Sequence, residues 1–396
     1  MTLIRYRAKF LTAAFGILLA VSIMLLVGLG TPAAQTTSQA SSGTSSQDAS
    51  CSGTYIRPGD DLDAIVNADS GATTYCVRPG TYRVDNVLDL ENNDEMIGTQ
   101  GALKTRGPAL DPEPVVNIVN AGGLARIFNV TGNVRLEWLK IQGSMSGARY
   151  TDDTRATCPH WGEASNGCPE VGTGVAIAAG KSGPDSVFRY LEIYNNASNC
   201  ITGISGKLYG SDLYRCSRNS DYWGYTAGAL KTIYEMEAAR NFVHDNEAVG
   251  LWCDQGCRHT EGQDRGFWVH DNLVVNNGRA GVRYEFSPMP GEPATSSALV
   301  ERNRLAGNDW GGAAMADARN ATFRYNVFGP QKVGGVKYWR NGTGKSAGLR
   351  SLQFTDSDRA SRTNLYNGDA YGNDMNGETI SNCEKPDAVV HCRRNR

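Results

Sequence analysis

Three stretches decide the fold: "NFVHDNEAVG" at 241–250, "NLVVNNGRAG" at 272–281 and "NRLAGNDWGG" at 303–312. They share one frame. Asn241, Asn272 and Asn303 open the units, Asn246, Asn277 and Asn308 follow five residues later, and Gly250, Gly281 and Gly312 stand nine residues after the openers. Both gaps between openers are thirty-one residues. A fixed period of this size marks a solenoid, whose units bury their apolar faces only by stacking on one another.

The frame extends in both directions. Leu191 takes the opener's place with Asn196 as its second Asn, Asp212 opens a looser copy, and Asn326 opens the last clear one. Openers at 191, 212, 241, 272, 303 and 326 leave gaps of 21, 29, 31, 31 and 23 residues, so constant cores are joined by loops of variable length. Clear repeats span 187–330. Short β-rich runs with Asn at the turns predict an all-β chain, a right-handed parallel β-helix in which Asn amides hydrogen-bond along the axis. The regular leucine frame of leucine-rich repeats is missing.

The chain has 396 residues, 40% of them apolar, and 46 glycines, which suffices for one large core at 51–396. Arg5, Arg7 and Lys9 precede an uncharged apolar run, Phe10 to Gly30, and small residues Thr31, Ala33 and Ala34 follow it. Residues 1–34 therefore read as a cleaved export signal, or as an uncleaved anchor with the body outside. Either way the body is extracellular, and the membrane is met only through that anchor. Gln35 to Ser50, rich in Ser, Thr and Gln, reads as a disordered linker. Without Arg5, Arg7 and Lys9, 36 Lys plus Arg face 41 Asp plus Glu, a net charge of −5 that does not fit a nucleic-acid partner. The body is expected to be a monomer.

Ten cysteines in an exported chain point to disulfides. In a solenoid, sequence neighbours are spatial neighbours, which favours pairing Cys51 with Cys76, Cys158 with Cys168, Cys200 with Cys216, Cys253 with Cys257, and Cys383 with Cys392. A metal cluster of Cys253, Cys257 and His259 is the competing reading, but it lacks a fourth ligand. Asp60 is expected to cap a short helix carrying Leu62, Ile65 and Val66, which covers the first coil. The polar, turn-rich stretch 144–172, with Trp161, reads as a long inserted loop. Residues 331–396 read as final coils or a cap.

The stretches "IRPGDDLDAIVNADSGATTYCVRPGTYRV", "NDEMIGTQGA", "GALKT", "NFVHDNEAVGLWCD" and "DNLVVNNGRAGVRYEFS" resemble bacterial right-handed β-helix proteins of the pectate-lyase-like superfamily. The resemblance covers most of 54–330. It implies the β-helix fold and a polysaccharide or cell-surface glycan as partner, in a superfamily that holds lyases, glycoside hydrolases, epimerases and non-catalytic surface proteins.

Counting from the Gly of each unit places side chains by face, because successive strand residues alternate. Leu251, Val282 and Ala313 then point inward, as do Cys253, Tyr284 and Met315. Trp252, Arg283 and Ala314 point outward, followed by Asp254, Glu285 and Ala316. Adjacent coils lie about 4.8 Å apart, so Asp254 and Glu285 are expected to be neighbours on an exposed outer face. Paired carboxylates suit glycoside hydrolysis, where one serves as acid and the other stays ionised. The same pair supplies hard oxygen ligands for Ca2+ in an alternative, β-elimination from a uronate with Lys231 or Arg283 as participant. Lys231 joins the Asp254 and Glu285 row if Ala227 takes the Gly place; counting from Gly228 puts it inward. Trp252 offers an exposed ring for sugar stacking, Trp161 approaches from the inserted loop, and His259 supports the site. A non-catalytic glycan-binding protein is the third reading. His244 and His270, at a strand end and before a turn, are weaker candidates.

Overall fold

The computed structural model describes residues 51–329, except 107–108, 122, 144–173, 219–227, 259–265, 286–296, 310 and 317–320, together with the strands Leu349–Leu352, Gly368–Tyr371 and Val390–Arg393. Residues 1–50, with the export and linker expectations, lie outside the described residues. So do the 144–172 loop with Trp161, residue His259, and the Cys158–Cys168 and Cys383–Cys392 pairings.

One coil shows how the chain is built. Met236–Ala239 lies in a first sheet, Phe242–His244 in a second and Val249–Arg258 in a third, and the next coil repeats this with Phe267–His270, Leu273–Val275 and Val282–Glu285. Among the described residues the three sheets hold twelve, nine and nine strands, each paired in parallel with the coil before and after. Parallel crossovers within a sheet are almost always right-handed. The result is the predicted right-handed parallel β-helix. Leu349–Leu352 pairs with Ala313–Ala316, and Gly368–Tyr371 and Val390–Arg393 extend the first sheet, so the stack continues past residue 330.

Alternation along each strand fills the interior. Leu230, Leu251, Val282 and Ala313 stack in register in the third sheet, Val243, Val274 and Leu305 in the second, and Phe267, Ala298 and Ala321 in the first, all within one core cluster. A buried aliphatic or aromatic side chain contributes roughly 1.5–3 kcal/mol, so a continuous column of them is what holds the coils together.

The Asn frame is a hydrogen-bond ladder. The Asn241 amide donates from Nδ2 to Asn272 Oδ1 at 3.0 Å, Asn272 donates to Asn303 at 2.9 Å, and Asn303 to Asn326 at 3.0 Å. A second ladder joins Asn246, Asn277 and Asn308 at 2.9 Å per step. Each Oδ1 also takes the backbone N–H of the coil before, so polar groups at the bend are satisfied without water. The glycines of the frame answer to close approach. A Cβ on Gly250 would lie 2.4 Å from the Gly281 carbonyl oxygen, and one on Gly281 2.6 Å from that of Gly312.

Two sequence expectations shift by one residue. Ser211, not Asp212, takes the opener's place, since Asp212 pairs with Phe242 and the Ser211 N–H donates to Asn241 Oδ1 at 2.9 Å. Its hydroxyl accepts from the Leu191 N–H, as an Asn amide would. The cap of the helix Leu62–Asn67 is Asp61, which accepts from the Ala64 N–H at 3.1 Å, while Asp60 accepts from Arg57. Cys51–Cys76, Cys200–Cys216 and Cys253–Cys257 form as expected. The last of these removes the metal-cluster reading of Cys253 and Cys257.

From the coil of Val187–Arg189 to that of Ala321–Arg324, the bend from first to second sheet spends two residues. The first is left-handed, with φ near 55° at Tyr190, Arg240, Asp271, Arg302 and Tyr325; the second is the inward rung occupied by the openers. A side chain in this region costs about 1–2 kcal/mol, offset where the same residue's N–H reaches the next coil, as Arg240 does to His270.

Candidate functional site

The third sheet sets the register of the candidate row. Lys231 pairs with Trp252, Trp252 with Arg283 and Arg283 with Ala314. Cys253 pairs with Tyr284, which places Asp254 beside Glu285, one residue further along the same strands. The count from Gly is therefore right for the three coils that share the thirty-one-residue spacing. It fails for Lys231 in both forms: Ala229 takes the place of Gly250, and Lys231 stands level with Trp252 on the outward parity.

Lys231 nevertheless reaches Asp254. Its Nζ lies 2.8 Å from Asp254 Oδ2, a diagonal step between coils. Arg283 Nη2 lies 2.5 Å from Glu285 Oε1 within one strand. The Lys231 ammonium is 4.2 Å from the Trp252 ring centroid and the Arg283 guanidinium 4.7 Å from it. Lys231 comes from the preceding coil and Arg283 from the following one, so the indole is clamped between two cations.

Burial corrects the expectation of an exposed face. Trp252, Arg283 and Glu285 are 0% exposed and Asp254 is 6% exposed, yet none belongs to the interior core cluster. They point away from the coil interior, as parity requires, and are shielded there as well. Trp252 thus has no open face for a sugar to stack on; its ring positions two cations. Each carboxylate faces a cation, where the sequence placed the two carboxylates against each other.

Two polar atoms of the row stand out. Asp254 Oδ1 and Trp252 Nε1 are buried and have no hydrogen-bond partner among the described residues. An unsatisfied buried polar atom costs about 1–3 kcal/mol. One is an acceptor and the other a donor, on side chains two residues apart on the same face.

Calcium does not fit this row. Among the described residues no group of three or more His, Cys, Asp or Glu is arranged to hold a metal. Asp254 and Glu285 already face Lys231 and Arg283, and Ca2+ takes six to eight oxygens.

The histidines lie elsewhere. His244, on the second sheet, joins Asp212 at 3.1 Å and Asp245 at 2.8 Å, and stacks on Tyr214, which stacks on Tyr194. His270, on the first sheet, joins Glu237 at 3.2 Å and Asp271 at 2.7 Å. Burial disfavours the charged ring at both, but the carboxylate partners outweigh it and raise both pKa values. Burial, with the Glu192 carboxylate beside it, pushes the Tyr214 phenol up. Lys140 and the Tyr214 hydroxyl both meet buried Glu192, at 3.0 and 2.9 Å. A third cluster, Arg135 and Arg189 around buried Glu137, has no counterpart among the residues singled out from the sequence. Its members are fifty-two residues apart at Glu137 and Arg189, with no Asn frame to align them.

No family model matches the chain, and no curated protein matches it in sequence. Among solved structures, the A-module of the mannuronan C-5 epimerase AlgE4 of Azotobacter vinelandii is 12% identical, covering 88% of this chain and 91% of that one, with a TM-score of 0.49. The DFA-IIIase of Arthrobacter chlorophenolicus A6, without its lid, is 12% identical, covering 87% and 94%, with a TM-score of 0.41. Pectate lyase Pel9A is 12% identical, covering 83% and 82%, with a TM-score of 0.38. At such identity these likenesses say nothing of activity.

Proposed function

We propose that the protein is an exported carbohydrate-active enzyme that cleaves a polysaccharide by hydrolysis at the outer face of the third sheet. Asp254 and Glu285 are its paired carboxylates, and Lys231 and Arg283 hold them. The observation that carries this reading is Asp254 Oδ1, a buried carboxylate oxygen with no hydrogen-bond partner among the described residues. Buried polar atoms are nearly always satisfied, and the exceptions concentrate where a ligand or a reaction uses them. A sugar oxygen bearing a proton satisfies that acceptor, and a sugar oxygen also satisfies the Trp252 N–H. Three disulfides fit an oxidising, extracellular setting.

In this reading Asp254 passes to the glycosidic oxygen, as the C–O bond breaks, a proton that it takes from the Lys231 ammonium it faces. Glu285 acts at the sugar carbon, either through an activated water or directly, and the separation of the carboxylates in the bound state sets the stereochemistry. Lys231 and Arg283 hold the two side chains in place and offset their charge out of water. A second reading is elimination from a uronate with Lys231 as the base. Lys231 favours it because, with a side chain 16% exposed, it is the most open of the four charged groups.

The test uses Asp254→Asn and Glu285→Gln with thermal melts as a folding control. Each is expected to lower turnover by about 10²-fold or more while glycan affinity stays within a few fold. New reducing ends without ultraviolet absorbance indicate hydrolysis, and absorbing unsaturated ends indicate elimination. A parent protein that binds glycan without turnover, or folded variants as active as the parent, would sink the assignment.

A further inference from the structure

Asp254 stands where its strand stops following its neighbours. Along Val249–Arg258 the register with the preceding coil matches Leu230 to Leu251, Lys231 to Trp252 and Thr232 to Cys253, breaks, and resumes only with Tyr234 and Arg258. The preceding coil therefore uses one residue, Ile233, where this strand uses four, 254 to 257. Pairing with the following coil ends at Cys253 and Tyr284. Asp254 is thus the first residue of a bulge, with no register partner in either neighbouring coil. The extra residues of a bulge are left out of the ladder, and bulges re-aim side chains beside active sites.

The Cys253–Cys257 bridge closes the two feet of this bulge. Four steps of extended strand span about 13 Å, whereas the Cα atoms of Cys253 and Cys257 are 5.8 Å apart. The chain doubles back inside the bridge, and Cys257 takes a φ of 33°, in the left-handed region that favours glycine. Both cysteines are fully buried members of the interior core cluster, and Cys257 Sγ lies 3.9 Å from the Thr232 carbonyl oxygen. The clasp is anchored in the core, while Asp254, next to Cys253, has the opposite parity and meets Lys231. For stabilising the fold as a whole the bridge is poorly placed. Its cysteines are 4 residues apart in sequence, against 16 for Cys200–Cys216 and 25 for Cys51–Cys76, and shorter loops restrict the unfolded chain less.

We infer that the Cys253–Cys257 bridge is a positioning device for the Asp254 carboxylate. By tying the feet of the bulge to the core, it fixes the point from which the Asp254 side chain departs, so that Oδ2 meets Lys231 and Oδ1 stays open to a ligand. Without the clasp the bulge bows, and both oxygens move with it. The geometric claim stands by itself; its catalytic consequence rests on the hydrolytic reading of Asp254 given above. Misplacing a reacting group by about 1 Å lowers a rate by about 10²-fold.

Cys253→Ala with Cys257→Ala in the full chain tests it through two readouts. In urea melts, Lys231→Met is expected to lower the folding equilibrium constant of the parent by about 10²-fold. Without the bridge the same substitution is expected to lower it by about fivefold or less, as for a pair on an open surface. In polysaccharide turnover, kcat is expected to fall by about tenfold or more while KM stays within a few fold. Cys51→Ala with Cys76→Ala is the control: the Cys76 strand, Thr74–Val77, stands five places from Met236–Ala239 in the first sheet, and both readouts should match the parent. Should the double alanine variant not fold, Cys253→Val with Cys257→Gly replaces it, since Val suits the strand and Gly the left-handed backbone. Failure of both variants to fold would make the bridge a support of the whole fold and overturn the inference. So would an undiminished effect of Lys231→Met, an unchanged kcat in an active parent, a loss confined to KM, or an equal fall in kcat in the control. A diminished effect of Lys231→Met in a protein that turns over no polysaccharide supports the positioning role and sinks the hydrolytic reading instead.

Discussion

The Lys231 ammonium lies 2.8 Å from the Asp254 carboxylate although the two residues are not level in the sheet, because Lys231 stands opposite Trp252 and reaches across the indole. The contact is largely withdrawn from water, with side chains 16% and 8% exposed. Breaking one side of such a pair strands the other charge. Lys231→Met is expected to destabilise the protein by about 3 kcal/mol, and adding Asp254→Asn to recover much of that loss. Denaturant melts of the single and double variants measure it. A double variant no more stable than Lys231→Met alone would show that the pair is not what Lys231 supports.

Asn272 holds four hydrogen bonds inside the bend. It donates to Asn303 Oδ1 and to the Ala238 carbonyl, and accepts from the N–H and the side-chain amide of Asn241. Asn272→Ala leaves at least two buried groups unsatisfied, at about 1–3 kcal/mol each. Asn272→Asp keeps the acceptor but turns a buried carboxylate oxygen toward the Ala238 carbonyl and Asn303 Oδ1, so its loss should be at least that of Ala. Urea midpoints of the three proteins order them.

His244 and His270 make stability depend on pH. Their folded-state pKa values are raised, so the stability they add is complete below the ordinary histidine value of 6.5 and is lost as pH rises through the folded values. Asp271 and Glu301 act at the other end: burial alone would raise their pKa values, but Arg302 at Asp271 and Arg324 at Glu301 lower them, and their contribution is lost only in acid. Melting temperatures are therefore expected to be higher near pH 6 than near pH 8.5, and the double variant His244→Gln, His270→Gln to flatten that slope. An equal slope in the variant would assign the dependence to other groups.

The Cys200–Cys216 bridge closes a loop of sixteen residues in the interior, where both cysteines are fully buried. A loop of this length lowers the entropy of the unfolded chain by about 3 kcal/mol. Cys200→Ala with Cys216→Ala is expected to lose about that much, plus a cavity term, in chemical denaturation. A loss below about 1 kcal/mol would mean that the Asn196 and Asn246 contacts nearby carry this coil without the bridge.

The fold was legible because one physical constraint, an amide ladder with a glycine under each following coil, wrote itself into the sequence at a constant spacing. Register followed wherever that spacing held, which is why Asp254 and Glu285 come out as neighbours. It slipped at Lys231, where the spacing changes, and at Ser211, whose hydroxyl does an amide's work under a different letter. Burial of Trp252, Arg283 and Glu285 was not legible, since parity says which way a side chain points and not what lies over it. The Arg135, Glu137 and Arg189 cluster was hidden for a related reason: a long insertion separates its members, and the early coils lack the Asn rungs that would have lined them up.

From Val187 to Phe328 the bend between first and second sheet uses two residues in each coil, whereas the stretch from second sheet to third ranges from three residues between Val84 and Leu88 to thirty-two between Gln142 and Val175, and that from third back to first from a single residue between Tyr234 and Met236 to fifteen between Leu352 and Gly368. In those coils one vertex of the triangle is thus a fixed hinge post, and the other two are where the chain stores its variety. Segments of new length and sequence can be grafted before or after the third-sheet strands without resetting any strand below. Diversification of this scaffold, by nature or by an engineer, is channelled to the two margins of the sheet that carries the Lys231–Glu285 row.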